Sequence, residues 1–204
     1  MEPTVFDYSP LELFQPIWIG DGCCVVLGGV QPPRDAAVCF SLSTPSFFGT
    51  GGHPCTRSIL SVLQDSNLHG VKILDYRSGS GLMGIYCARF GAKEVVSYNE
   101  EEKVNVRALL NAVGNSIIIH PATKTELSEG YSQDFDTVIS HQITPQTVRE
   151  DAQLTNRLLG QGGSLLVSGW KPSGHQFVKG VLGEFFTIEN VGDTHGYPII
   201  LASK

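Results

Sequence analysis

The chain has no Cys-x-x-Cys pair and no cluster of histidine and cysteine at zinc-ligand spacing, and its five cysteines (Cys23, Cys24, Cys39, Cys55, Cys87) are an odd number. Neither a disulfide framework nor a structural metal is indicated, and a cytoplasmic, reducing location is the expectation. No run comes near the roughly 20 apolar residues of a membrane span. The first residues, Met1 to Asp7, lack a basic stretch followed by an apolar one, so the chain is expected to be soluble and unexported, with no membrane partner. Lysine and arginine number 14 against 20 acidic residues, a formal charge of −6, and they are scattered. That is not the footprint of a protein that grips a phosphate backbone, and nucleic acid is not expected as a partner. Internal repeats, low-complexity tracts and core-dividing linkers are also missing.

What is present is a 204-residue chain, 41 % hydrophobic, long enough for one well-buried core. Its first 45 residues read as a β-rich lead-in, with strands expected at 16–19, 23–27 and 36–42 between glycine-rich turns. Residues 46–204 read as one compact unit. A glycine-rich loop at 46–56 ends in Pro54, suited to the first turn of a helix carrying Ile59, Leu60 and Leu63. Strands and helices then alternate: strand 71–74, helix 81–90, strand 94–98, helix 101–113, strand 116–119 and strand 137–140. A helix at 145–159, a strand at 164–168, a helix at 174–182 and strands at 185–191 and 197–201 complete the series. Near-continuous apolar strands between amphipathic helices imply a sheet buried on both faces.

The most informative segment is Leu74-Asp-Tyr-Arg-Ser-Gly-Ser-Gly81, which ends an apolar strand and opens a helix. Glycines in such a turn let the backbone approach a ligand, and the helix beyond offers free N–H groups and the positive end of its dipole. Gly79 and Gly81 suit that task; Arg77 stands where a third glycine is expected. Asp75 ends the strand, positioned to hydrogen-bond loop amides, a ligand amine or the start of the helix.

The last two strands have no helix between them, which predicts a closing antiparallel hairpin. One reversed strand in a mostly parallel sheet of seven is the mark of the class I methyltransferase (Rossmann-like) α/β fold. Phe48-Gly-Thr-Gly-Gly-His-Pro-Cys-Thr56, the Asp75 turn followed by Gly91-Ala-Lys93, and Leu159-Gly-Gln-Gly-Gly-Ser-Leu-Leu-Val-Ser-Gly169 together resemble the PrmA family. Its members are S-adenosylmethionine-dependent methyltransferases that modify lysines and the N-terminus of a large-subunit ribosomal stalk protein. The resemblance runs from about residue 13 to the C-terminus and implies S-adenosylmethionine as cofactor.

Family members carry an N-terminal substrate-capturing domain with no counterpart before residue 13 here, so the resemblance points to a small-molecule or non-ribosomal protein acceptor. The family's cofactor ligands, a threonine, a glycine, an aspartate and an asparagine, fall on Thr56, Arg77, Asn99 and His141. Only the threonine is retained. Asn99 replaces the carboxylate that accepts from both ribose hydroxyls, a loss of about 1 to 3 kcal/mol. Arg77 brings a cation near a sulfonium, or else a clamp for a carboxylate. His141 introduces an imidazole able to act as a general base. Two outcomes follow: a methyltransferase, or a descendant that no longer methylates and binds another, anionic ligand or serves as an interaction scaffold.

Overall fold

The computed structural model describes residues 15–20, 22–43, 49–194 and 196–204. The expected boundary at residue 45 and the beginning of the glycine-rich loop, residues 46–48, lie outside the described residues.

A three-stranded sheet comes first. β1 (Ile17–Gly20) runs antiparallel to β2 (Cys23–Leu27), and β2 runs parallel to β3 (Val38–Leu42). β2 is central and buried at every position, as its unbroken apolar sequence requires. The chain then enters α1 (Pro54–Gln64), with the proline in the first turn and His53 as cap, its Nδ1 accepting the Cys55 N–H at 3.2 Å.

The main sheet comprises β4 (Lys72–Tyr76), β5 (Glu94–Tyr98), β6 (His120–Pro121), β7 (Phe135–Ser140), β8 (Leu159–Val167), β9 (Thr187–Thr194) and β10 (Tyr197–Ser203). Their order across the sheet is β6-β5-β4-β7-β8-β10-β9. β10 is antiparallel to both β8 and β9, while the pairings among β4 to β8 are parallel. The helices are α2 (Leu82–Arg89), α3 (Glu102–Gly114), α4 (Val148–Leu158) and α5 (His175–Leu182). No described helix is long and apolar enough to cross a membrane.

Adjacent strand residues point to opposite faces, so Ile73 and Leu74 serve different cores. Ile73, Leu82, Ile85 and Val95 pack with Ile59 and Leu60 of α1 and with Leu27, Phe40 and Leu42 of the small sheet. Leu74, Val96, Val138 and Leu165 pack with Leu158 of α4 and Leu182 of α5. The three-stranded sheet thus shares its core with α1, α2 and one face of the main sheet.

Several elements differ from the sequence expectation; β8, for one, begins at Leu159 rather than at 164. The edge strand pairs at His120–Pro121 rather than at 116–119, because residues 115–117 finish α3. Ser116 takes a left-handed φ of 57° and the Ile117 N–H reaches back to the Ala112 carbonyl at 2.9 Å. α4 starts at Val148 rather than at 145, since Thr144 and Thr147 first lock a turn by exchanging backbone-to-hydroxyl bonds of 3.3 Å each. A π-helical turn at Glu126–Gly130 had no counterpart in the hydrophobic pattern.

Candidate functional site

The parallel register aligns the carboxyl ends of three adjacent strands, with Asp75 beside both Ser97 and Ile139, and Tyr76 beside Tyr98. Arg77 directly follows β4, Asn99 follows β5 and His141 follows β7. The three residues that depart from the family pattern therefore line one edge of the sheet, where open α/β folds bind ligands.

Arg77 has φ 59°, Gly79 φ 59° and Gly81 φ 81°, so the turn keeps left-handed backbone at all three positions, the arginine included. A non-glycine residue there costs about 1 kcal/mol or more. The side chain offsets that cost neither by swinging free into solvent nor by folding over the turn. Its Nε and Nη2 donate to Asp151 Oδ1 at 3.3 and 3.0 Å, and Nη2 lies 3.2 Å from Glu100 Oε1. The guanidinium also rests 5.6 Å from the Tyr76 ring centroid. Burial works against its charge, but Asp151 and Glu100 outweigh that and raise its pKa.

Asp151 is 1 % exposed and also accepts the Tyr76 hydroxyl at 2.8 Å. Burial and the Asp151 charge push the Tyr76 phenol up. Tyr76 stacks on Tyr98 with centroids 5.6 Å apart. Gln142 completes the arrangement, donating from Nε2 to the Arg77 carbonyl at 2.7 Å and so tying the end of β7 to the turn after β4. Neither Asp151 nor Gln142 belonged to the expected site. The available signal was a carboxylate within the buried stripe Val148, Asp151, Ala152, Thr155 and Leu158 of α4.

Asp75 is fully buried; Oδ2 accepts the Gly84 N–H of α2 at 3.0 Å and Oδ1 has no partner. Burial pushes its carboxyl up to about 7. Thr56, in the first turn of α1, is also fully buried, with Oγ1 unpartnered. Asn99 Oδ1 accepts the Glu101 N–H at 3.1 Å, and its carbonyl accepts from Asn105 Nδ2 at 2.8 Å.

His141 is fully buried, its pKa pushed down to about 3 by burial, with His53 adding to the effect. A Cβ on Gly49, itself left-handed at φ 92°, would stand 2.7 Å from His141 Nε2. The backbone of residue 49 therefore lies directly against the imidazole, an approach only glycine allows. The Ser80 hydroxyl donates to the Gly49 carbonyl at 2.8 Å, drawing the glycine-rich loop onto the turn after β4. His53, likewise lowered to about 4 by burial, contacts Cys55 Sγ through Nδ1 at 2.8 Å, and burial pushes that thiol up to about 12.

These residues fit S-adenosylmethionine at one end. Three left-handed positions, with buried unpartnered oxygens on Thr56, Asp75 and Ser78, suit a polar amino-acid group. The ribose end does not match the carboxylate pattern: Asn99 is neutral and its side-chain oxygen already holds the Glu101 N–H.

Sheet order and the reversed β10 define the class I methyltransferase fold. Within it the chain belongs to the family described as ribosomal protein L11 methyltransferase (PrmA), whose model matches residues 7–204. The ribosomal protein L11 methyltransferase of Thiobacillus denitrificans is 29 % identical over 192 residues, 94 % of this chain and 63 % of that protein. The enzyme of the same name from Janthinobacterium sp. is 29 % identical over 76 % of this chain and 50 % of its own length. The chain thus spans between half and two thirds of these relatives. Among solved structures, a ribosomal protein L11 methylase from Lactobacillus delbrueckii subsp. bulgaricus superposes with a TM-score of 0.82 at 18 % identity, covering 94 % of this chain and 99 % of that one. An S-adenosylmethionine-dependent methyltransferase from Mesorhizobium loti does so at 0.60 and 14 %, covering 75 % and 99 %.

Proposed function

We propose that this chain is an S-adenosylmethionine-dependent methyltransferase of the PrmA type, acting on a nucleophile of a small molecule or a protein. The observation that carries this is the turn after β4. Its backbone keeps the left-handed form at residues 77, 79 and 81, and the Arg77 cation, which would oppose a sulfonium, is held by Asp151 and Glu100.

In this proposal Thr56, Asp75, Gly79 and Gly81 hold the methionyl end of the cofactor, Arg77 contributes backbone only, and Asn99 meets the ribose with its amide donor. The bound cofactor supplies a methyl group on a positively charged sulfur. The chain's own part is to align the acceptor with that group and to accept its proton. His141 is the candidate base. Burial, with His53 adding to it, keeps its imidazole neutral at pH 7 and weakly basic. The relatives' name makes ribosomal protein L11 the first acceptor to assay, beside small nucleophiles.

Calorimetric titration of S-adenosylmethionine and S-adenosylhomocysteine into the pure protein tests the proposal. Binding of both at micromolar Kd is the expected result; absence of binding by either up to about 1 mM overturns it.

Asn99 favours a second reading. With Oδ1 on the Glu101 N–H it lacks the acceptor pair for a ribose diol, and a chain so altered binds another, anionic ligand without methylating, or acts as an interaction scaffold. If the wild type binds neither compound, Asn99→Asp with Arg77→Gly separates the causes. Recovered affinity identifies these two positions as the reason; no recovery moves the reason elsewhere in the site.

A further inference from the structure

Helix α3 has two apolar faces. Val104, Ala108, Asn111 and Ala112 are buried against the sheet. On the other side Val106, Leu109, Leu110 and Val113 recur at the i, i+3, i+4, i+7 spacing of a single stripe, exposed by 50, 37, 53 and 64 %. Ile118, between α3 and the edge strand β6, is 76 % exposed.

The chain from the middle of the stripe onward carries no charge: residues 108–119 contain no Asp, Glu, Lys or Arg. Charges flank the stripe at both ends: Glu102 and Lys103 in the first turn of α3, Lys103 pairing with Glu101 at 2.8 Å, Arg107 donating to Ser43 Oγ at 3.1 Å, and Arg89 beside Gly114 to Ile117. Edge-to-edge strand pairing is blocked, because β6 has two residues and one is Pro121, which has no N–H to donate.

We propose that this face is a self-association surface on which α3 pairs antiparallel with α3 of a second copy about a two-fold axis. The stripe maps onto itself in that arrangement: Leu109 meets Leu110 of the other copy, and Val106 meets Val113. The five side chains present on the order of 500 Å² of apolar surface, the upper range for a monomer. Facing a copy, they bury at most about 1,000 Å² in total, the lower limit of a specific interface. The assembly is therefore weak and concentration-dependent, and it leaves the carboxyl ends of β4, β5 and β7 uncovered.

Sedimentation equilibrium of the full chain over a hundredfold concentration range tests this. The expected result is a rise from one to two monomer masses, and loss of the dimer in Val106→Lys and in Val113→Glu at unchanged melting temperature. Mixing those two variants restores a dimer, since the introduced Lys and Glu face each other across the axis. A monomer at every concentration, a dimer untouched by either substitution, or a monomer whose stripe instead carries it onto neutral lipid vesicles overturns the proposal.

Discussion

Arg77 and Asp151 act as one unit, the guanidinium at one end of the pair and the buried carboxylate at the other. Replacing Arg77 with glycine relieves a left-handed φ worth about 1 kcal/mol, yet strips the Asp151 carboxylate, 1 % exposed, of its counter-ion. Uncompensated burial costs more, about 3 kcal/mol. Urea denaturation should therefore show Arg77→Gly to be less stable than wild type, and Arg77→Gly with Asp151→Leu and Tyr76→Phe, which also removes the hydroxyl that Asp151 accepts, to recover most of the loss. The buried titratable groups at the site act in opposite directions with pH. His141 and His53, held down at about 3 and 4, bind fewer protons folded than unfolded, so their contribution is complete above about pH 6.5 and is lost as pH falls toward those values. Asp75, raised to about 7, holds its proton longer when folded, so its contribution falls as pH rises from about 4 to 7. Chemical denaturation between pH 4 and 7 should show His141→Asn flattening the rise in stability with pH, and Asp75→Asn steepening it.

At the level of elements, site geometry depends on backbone packing against backbone at the carboxyl edge. Gly169, just beyond β8, has φ 127°, and a Cβ there would stand 2.7 Å from the Ile143 carbonyl oxygen and 2.9 Å from that of His141. None of these atoms can rotate away. Gly169→Ala is expected to cost about 3 kcal/mol or more and to displace residues 141–143, read as a lowered melting temperature and a changed His141 imidazole resonance by NMR. Most of this edge was legible in the chain. The turn after β4, the strand ends at Asn99 and His141, and the proline opening α1 all have local signals, because turn chemistry and apolar runs are local properties. The start of α4 and the place of the edge strand β6 differ from the periodic pattern by a few residues, since Thr144 and Thr147 close a turn through their hydroxyls and Ser116 and Ile117 close the end of α3, bonds that periodicity does not register.

For the whole molecule, the three-stranded sheet and the main sheet share one core. Leu27, Phe40 and Leu42 are fully buried among Ile59, Leu60, Ile85 and Val95 of the larger unit. Leu27→Ala is expected to lower global stability by about 2 to 5 kcal/mol while leaving a single unfolding transition, seen as coincident far-ultraviolet and near-ultraviolet circular dichroism. Separate transitions would make the small sheet an independent unit.

The order of strands and helices, the closing hairpin and the positions of Thr56, Asp75, Arg77, Asn99 and His141 could all be read from the chain, because each rests on hydrophobic period, turn residues and motif spacing. Where the Arg77 guanidinium goes could not. A sequence holds no distance between residues 77 and 151; the packing of α4 against the end of β4 brings them to 3.0 Å. Packing against the sheet likewise separates the two apolar faces of α3, burying one and leaving the other exposed.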